Sequence, residues 1–345
     1  MMEDNHGTNT DNYSAHGGGG GLALVVPCHN EEDALPKTAA ALKQKISVLQ
    51  KDERLRAIQN YKVYFVDDGS SDGTWKIIQN LAKNDKIFYG IKLSTNKGHQ
   101  NALLAGLMTA KDTSDVIISM DADLQDDINA IDKMILKFLD GVDIVYGVRF
   151  ERKQDTFFKR FTAESFYKIL RFFSDNPKHI IYNHADYRLM SRRALEGLAE
   201  YMEVNLYLRG IIPAIGYRQE TVYYSRNERI AGTSKYPLKK MLAFAAQGIT
   251  SLSIKPMRII SVLGFFIFLS SIGMLIYFLI RHFTGKTIVG WSSLAVSIWA
   301  IGGLIQMSIG VLGEYIGKIY LETKRRPRYI IEAVIDGAEN KKDEQ

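Results

Sequence analysis

Three acidic segments stand out in the sequence, each directly behind a short apolar run. Pro27-Cys28-His29-Asn30-Glu31-Glu32 follows LALVV, Asp67-Asp68-Gly69-Ser70-Ser71-Asp72-Gly73-Thr74 follows KVYFV, and Asp121-Ala122-Asp123-Leu124-Gln125-Asp126-Asp127 follows DVIISM. Singly, each has a structural reading: Asn30 or Glu31 opening a helix, Asp72 capping one, an Asp-Gly pair turning the chain. Together they suggest chemistry. Carboxylates that converge repel one another unless a cation joins them, and hard oxygen ligands favour Mg²⁺ or Mn²⁺, with phosphate oxygens completing the shell. The expectation is a metal–diphosphate site. Arg149 and Arg152 follow a further apolar run, and a guanidinium fork suits phosphate oxygens; a solvated surface role is the alternative for Arg152. His29, His99 and His184 have no partner pattern, and the single cysteine, Cys28, is of a type that more often packs than reacts. None of the four is assigned a catalytic role.

The elements that must position these segments follow from periodicity. From Leu22 to about Asn205 short apolar runs alternate with longer helical-period stretches, the βαβ pattern. Strands are expected at 22–27, 62–66, 87–93, 115–120 and 143–148, with helices near 33–49, 73–83, 99–111 and 128–139. This is an α/β chain with a mostly parallel sheet under helical cover. Ligands in such sheets bind beyond the carboxyl ends of the strands, where the acidic segments lie. The 345 residues suit about two structural units, and 46% apolar with 24% charged residues excludes a chain disordered throughout. One cysteine excludes a disulfide framework and a Cys-rich metal site, and points to a reducing compartment for the folded part.

Two stretches of the last third carry no charge: 22 residues from Ile259 to Ile280 and 27 from Thr287 to Gly313. About 20 apolar residues span a bilayer, so two membrane helices are expected, a buried core helix being the alternative for each. Lys239, Lys240, Lys255 and Arg258 precede the first, and Lys318, Lys324, Arg325, Arg326 and Arg328 follow the second. The positive-inside rule then puts both termini and the α/β domain on the cytoplasmic side of a multi-pass plasma-membrane protein. Between 226 and 258 seven Lys and Arg residues face Glu228 alone, an excess equal to the net charge of +6 for the whole chain. Beside a membrane helix this favours anionic headgroups or a lipid phosphate over a nucleic acid, and no nucleic-acid partner is expected. The division expected is a disordered tail at 1–21, an α/β domain at 22–235, an interfacial amphipathic segment at 236–256, a transmembrane hairpin at 257–317 and a cytoplasmic tail at 318–345.

These residues resemble a known family, the family 2 glycosyltransferases of GT-A fold. The resemblance runs from about Leu22 to Glu332 and is carried by VVPCHNEE, VDDGSSDGT, LSTNKGHQNALLAGL and DADLQD. YGVR, ADYRLMSRRAL and RIAGTSKYPLKKML, followed by two apolar segments, are similar to the bacterial polyprenyl-phosphate glycosyltransferases, relatives of dolichyl-phosphate mannose synthase. One departure is that Asp127-Ile128-Asn129 stands where members often have Pro-Pro-Glu, which bears on the next helix start. The resemblance implies a nucleotide pocket of Pro27, Asn30, Glu31, Asp67, Asp68 and Asp121, and a metal held by Asp121, Asp123 and Gln125. It implies catalysis by Asp123, Asp126 and Arg149, Asp126 being the candidate if a base is used at all. Asp186, Tyr187 and Arg188 would form the sugar-side wall. Arg152, Arg226, Arg229 and Lys235 would hold the acceptor phosphate. The activity implied is inverting transfer of glucose, favoured over N-acetylglucosamine, from a UDP-sugar to polyprenyl phosphate for cell-envelope glycosylation, with Mg²⁺ or Mn²⁺. A homo-oligomer is also implied, tetrameric in the proteins resembled. The competing readings are a non-catalytic nucleotide-sugar-binding membrane protein and a processive polysaccharide synthase; none of Gln154, Gln219, Gln247 or Gln306 begins the synthase's Q-x-x-R-W motif.

Overall fold

In the computed structural model, residues 20–150, 184–204, 207–225, 255–284 and 291–337 are described. They divide into an α/β unit, which includes the chain after Pro327, and a helical unit within Pro237–Arg326.

The α/β unit is built on strands β1 (Gly20–Cys28), β2 (Ile58–Asp67), β3 (Phe88–Leu93), β4 (Val116–Ser119), β5 (Ile144–Arg149), β6 (His184–Ser191), β7 (Gln219–Tyr224) and β8 (Ile331–Ile335). They form one sheet in the order β7-β5-β6-β4-β1-β2-β3-β8. The pairs β1–β2, β1–β4, β2–β3 and β5–β7 are parallel, whereas β6 runs antiparallel to both β4 and β5, and β8 antiparallel to β3.

The central strands are continuously apolar because both faces are covered, and the period of two divides their side chains between two cores. Leu22, Leu24 and Val26 pack with α1 (Leu35–Leu49), α2 (Thr74–Asn84) and α4 (Ala130–Leu139). Ala23, Val25 and Val66 face the opposite core, with α3 (His99–Lys111), α5 (Arg192–Ala199) and α6 (Leu208–Ala214). α3 lies close on the sheet at Gly106, where a Cβ would collide with Val25 and stand 2.7 Å from Val66 Cγ2. Gly106→Ala is therefore expected to cost about 1–3 kcal/mol by overpacking, seen as a melting temperature lowered by several degrees. An unchanged melting temperature would mean that the helix can lift without cost.

The expected strands and helices form within a few residues of their expected bounds. β6, β7 and β8 are additions. Residues 331–335, assigned from sequence to a C-terminal tail, are an edge strand of the sheet, with Lys92 pairing Glu332 at 2.8 Å. The tail at 1–21 contributes Gly20 and Gly21 to β1, and its other residues lie outside those described.

In the helical unit, α7 (Lys255–Phe283) and α8 (Trp291–Thr323) are both long and apolar enough to cross a membrane. Many of their large apolar side chains, Phe265, Phe266, Ile298 and Ile305 among them, are exposed. α8 runs beyond the expected end at 317. Of the expected interfacial segment, Lys255 and Pro256 open α7, and 236–254 lie outside the described residues.

Candidate active site

The loops after β1 and β2 are locked together by reciprocal hydrogen bonds. Asn30 sits at φ +55°, a left-handed conformation that Asn tolerates better than most residues. Its N–H donates to Ser70 Oγ at 3.0 Å, and its side-chain oxygen accepts from Ser71 N at 2.9 Å. The Glu31 N–H donates to Thr74 Oγ1 at 2.9 Å, and Gly73 N–H to Glu32 Oε2 at 2.7 Å. The carboxamide of Asn30 is thus engaged in shaping the loop.

Asp68 is buried, and its carboxylate accepts the N–H groups of Lys97 and Gly98 at 2.7 and 2.9 Å, which fixes the turn into α3. Gly69, at φ +62°, passes under that turn so closely that a Cβ would stand 2.5 Å from Asn96 N. Asp67 accepts from Ser70 N at 3.1 Å through Oδ1, and its buried Oδ2 has no hydrogen-bond partner among the described residues.

The third loop carries Asp121, Asp123 and Gln125. Thr38 of α1 donates to Ala122 O at 2.6 Å, and Asp123 Oδ1 accepts from Gln125 N at 3.2 Å. Between them Leu124 is held at φ +52°, an unfavourable conformation for a branched apolar residue. Burial pushes Asp121 up to about 6, helped by Asp126, Asp186 and Asp123 and opposed by His99. The loop thus concentrates carboxylates around Asp121. Among the described residues no three His, Cys, Asp or Glu side chains gather as a complete metal cage, so oxygens from elsewhere must finish any shell built on it.

Asp126 occupies a different environment from its neighbours. It is buried, and its Oδ1 accepts from Arg149 Nη2 at 3.0 Å and from the Tyr224 hydroxyl, while Arg149 Nε donates to that same hydroxyl oxygen at 3.0 Å. Tyr187 donates to Asp127 O at 3.1 Å. These bonds tie the acidic loop to β5, β6 and β7. Where Pro-Pro-Glu is replaced, Asp127 Oδ1 accepts from Asn129 N at 2.9 Å and α4 starts at Ala130, so the departure keeps a defined helix start.

A model of glycosyl transferase family 2 matches residues 23–199, just over half of the chain, and spans every loop described above. The chain belongs to glycosyltransferase family 2. Uncharacterized glycosyltransferase YkoT of Bacillus subtilis (strain 168) is 51% identical over 311 residues, covering 90% of this chain and 91% of that protein. Bactoprenol glucosyl transferase of Shigella phage SfX is 40% identical over 316 residues, 90% of this chain and 99% of that one. Among solved structures, glucosyl-3-phosphoglycerate synthase from Mycobacterium tuberculosis, in complex with Mn²⁺, UDP and phosphoglyceric acid, aligns with a TM-score of 0.45 at 17% identity over 70% of this chain and 80% of that one.

In this glycosyltransferase, one further cluster adjoins Asp121. Asp186, nine-tenths buried on β6, accepts from Arg188 Nη2 at 2.5 Å and from Arg209 at 3.2 Å through Nε and 2.9 Å through Nη2. His99 Nε2 lies 3.6 Å from both Asp121 Oδ1 and Asp186 Oδ2. Burial opposes ionisation of Asp186, but His99 and the two guanidinium groups outweigh it and hold the carboxyl well below the usual range. The same carboxylates raise His99 against burial. Sequence reading left His99 and Arg209 without a role, because nothing local marks them; their partners, Asp121 and Asp186, are on other elements. Arg152, Arg226, Arg229 and Lys235 lie outside the described residues.

Proposed function

We propose that this family 2 glycosyltransferase moves glucose from UDP-glucose to a polyprenyl phosphate at the cytoplasmic face of the plasma membrane. The observation that carries the reading is the 40% identity to a bactoprenol glucosyl transferase along 99% of that protein. The order of loops agrees with it. The loops of β1 and β2 would take the nucleoside, the acidic loop after β4 the diphosphate, and the β6 side of the sheet the sugar and acceptor.

Asp121 and Asp123, with Gln125, are the residues that would hold Mg²⁺ or Mn²⁺, and the burial and neighbouring acids that lift Asp121 fit a cation there. Bound, such an ion neutralises charge developing on the leaving diphosphate. In the transfer an acceptor phosphate oxygen forms the bond to sugar C1 as the bond from C1 to UDP breaks, with inversion. The second pKa of a phosphate monoester is about 6, so the nucleophile is largely ionised at neutral pH and needs no strong base. Asp126, buried and bonded to Arg149 and Tyr224, suits positioning of the loop better than proton abstraction. The deciding experiment is a screen of UDP-sugars with undecaprenyl phosphate and the purified full-length protein; transfer of another sugar, or of none, removes the glucose assignment.

The two long helices are read as a transmembrane hairpin. β8, which follows α8, pairs with β3, which precedes α7, and this supports a hairpin whose two ends share one side of the membrane. The Lys and Arg distribution makes that side cytoplasmic. Reporters at either terminus are expected to read cytoplasmic and one inserted at Gly285 external; an external tail after Arg328 would sink the hairpin. The oligomer belongs to the same reading: a Cβ at Gly302, Gly303, Gly310 or Gly313 on α8 meets nothing within 4 Å, leaving room for close helix packing between copies.

A further inference from the structure

Asp186 carries more cationic partners than one carboxylate needs. Its Oδ1 accepts from both Arg188 and Arg209, its Oδ2 accepts from Arg209, and His99 stands 3.6 Å from Oδ2. The two arginines differ in how far they are bound to stay. Arg188 is fully buried, its Nε and Nη1 without hydrogen-bond partners among the described residues, so Asp186 is its one compensating charge there. Arg209 is 34% exposed and joins Asp186 through a two-pronged guanidinium face. Moving Arg209 away would leave Asp186 still neutralised by Arg188, so the exchange is cheap on the carboxylate's side. The guanidinium released would match a phosphate in the same bidentate geometry.

Position narrows which phosphate that is. From β2 through β1 and β4 to β6 the sheet runs from the clamped loops, past Asp121 and Asp123, to Asp186. Arg209 is held at this far end, because Leu208 N–H donates to Gln100 Oε1 at 3.0 Å and so ties the start of α6 to the first turn of α3. A diphosphate on the acidic loop would lie between the nucleoside and Arg209, and an attacking group must come from the side opposite the leaving diphosphate.

We propose that Arg209 captures the phosphate monoester of the acceptor, exchanging Asp186 for it, while Arg188 keeps Asp186 neutralised. The site thus carries its own counter-anion: with no acceptor the Arg209 fork rests on Asp186, and the incoming phosphate takes its place. This rests on the acceptor reading above and adds to its expected basic residues Arg209, a residue of the α/β unit.

The test measures binding apart from turnover, on the full-length protein in detergent, with farnesyl phosphate as the probe, farnesol as its uncharged control, and UDP as the donor-side probe. Arg209→Gln is expected to weaken farnesyl phosphate binding about tenfold or more, as loss of a charge-assisted pair of hydrogen bonds should, and to leave farnesol and UDP binding unchanged. Arg209→Lys, which keeps the charge and the pairing with Asp186 but not the fork, should fall between and guards against a folding defect in the Gln variant. Unchanged farnesyl phosphate affinity in both variants overturns the proposal, as does a wild-type protein that does not distinguish farnesyl phosphate from farnesol. A parallel loss of UDP affinity moves Arg209 to the donor diphosphate and overturns the acceptor assignment. Phosphate-dependent binding that needs Arg209, in a protein that transfers no sugar, would uphold this inference while defeating the glucosyl-transfer reading.

Discussion

Asp123→Asn is expected to lower the turnover of sugar transfer by about a hundredfold to a thousandfold, the scale set by removing one group that stabilises developing charge, and to leave the fold unchanged. The substitution removes a charge and keeps the size and shape of the side chain. The Asn side-chain oxygen can still accept the Gln125 N–H that Asp123 Oδ1 accepts at 3.2 Å, so the turn through Leu124 retains its support. Asp123 is also only partly buried, and no tightly packed volume changes. Turnover measured across a Mn²⁺ titration, beside a melting curve, separates the two effects. Wild-type turnover at every metal concentration would remove Asp123 from the site and take the metal assignment with it. A large fall in melting temperature would instead make Asp123 a turn residue whose loss is felt through the loop.

The parts of this molecule legible in its sequence are those that obey one local rule. Leu22 to Val26 is continuously apolar because both faces of a central strand are covered, and the acids at 121–127 draw notice because they follow such a run. β6 breaks the rule: Asp186 and Arg188 alternate with Tyr187 and Leu189, and a strand whose inner face carries a carboxylate and a guanidinium reads as a polar loop until β4 and β5 are placed on either side of it. β8 escapes for another reason. Its alternation is short, and it follows two long apolar segments, so only its pairing with β3 separates it from a tail. In the site, residue types were legible and partnerships were not. Asp126 was read as the candidate base in the 121–127 segment, yet its partners Arg149 and Tyr224 lie 23 and 98 residues onward and hold it in a buried cluster. His99 and Arg209 gain their meaning from Asp186 in the same way.

The largest stability effect is expected at Asp186. Asp186→Ala removes the counter-charge of Arg188, which is fully buried and whose usual range is already lowered by that burial. An uncompensated buried charge costs about 3–5 kcal/mol, and at roughly 2–4 °C per kcal/mol for a unit of this size the melting temperature should fall by about 6–20 °C. Arg188→Met should cost less, because Asp186 keeps Arg209 and the nearby His99 while the thioether chain fills most of the vacated space. The double variant discriminates between causes. If the penalty of Asp186→Ala is the isolation of Arg188, then adding Arg188→Met should restore most of the melting temperature, since a buried ion pair exchanged for apolar volume is often neutral. Turnover should not return with it, because Asp186 borders the site through His99, 3.6 Å from Asp121. A double variant as unstable as the single one would show that the cost lies in lost packing around β6, and a double variant that regained both stability and turnover would make Asp186 a purely structural partner of a buried arginine.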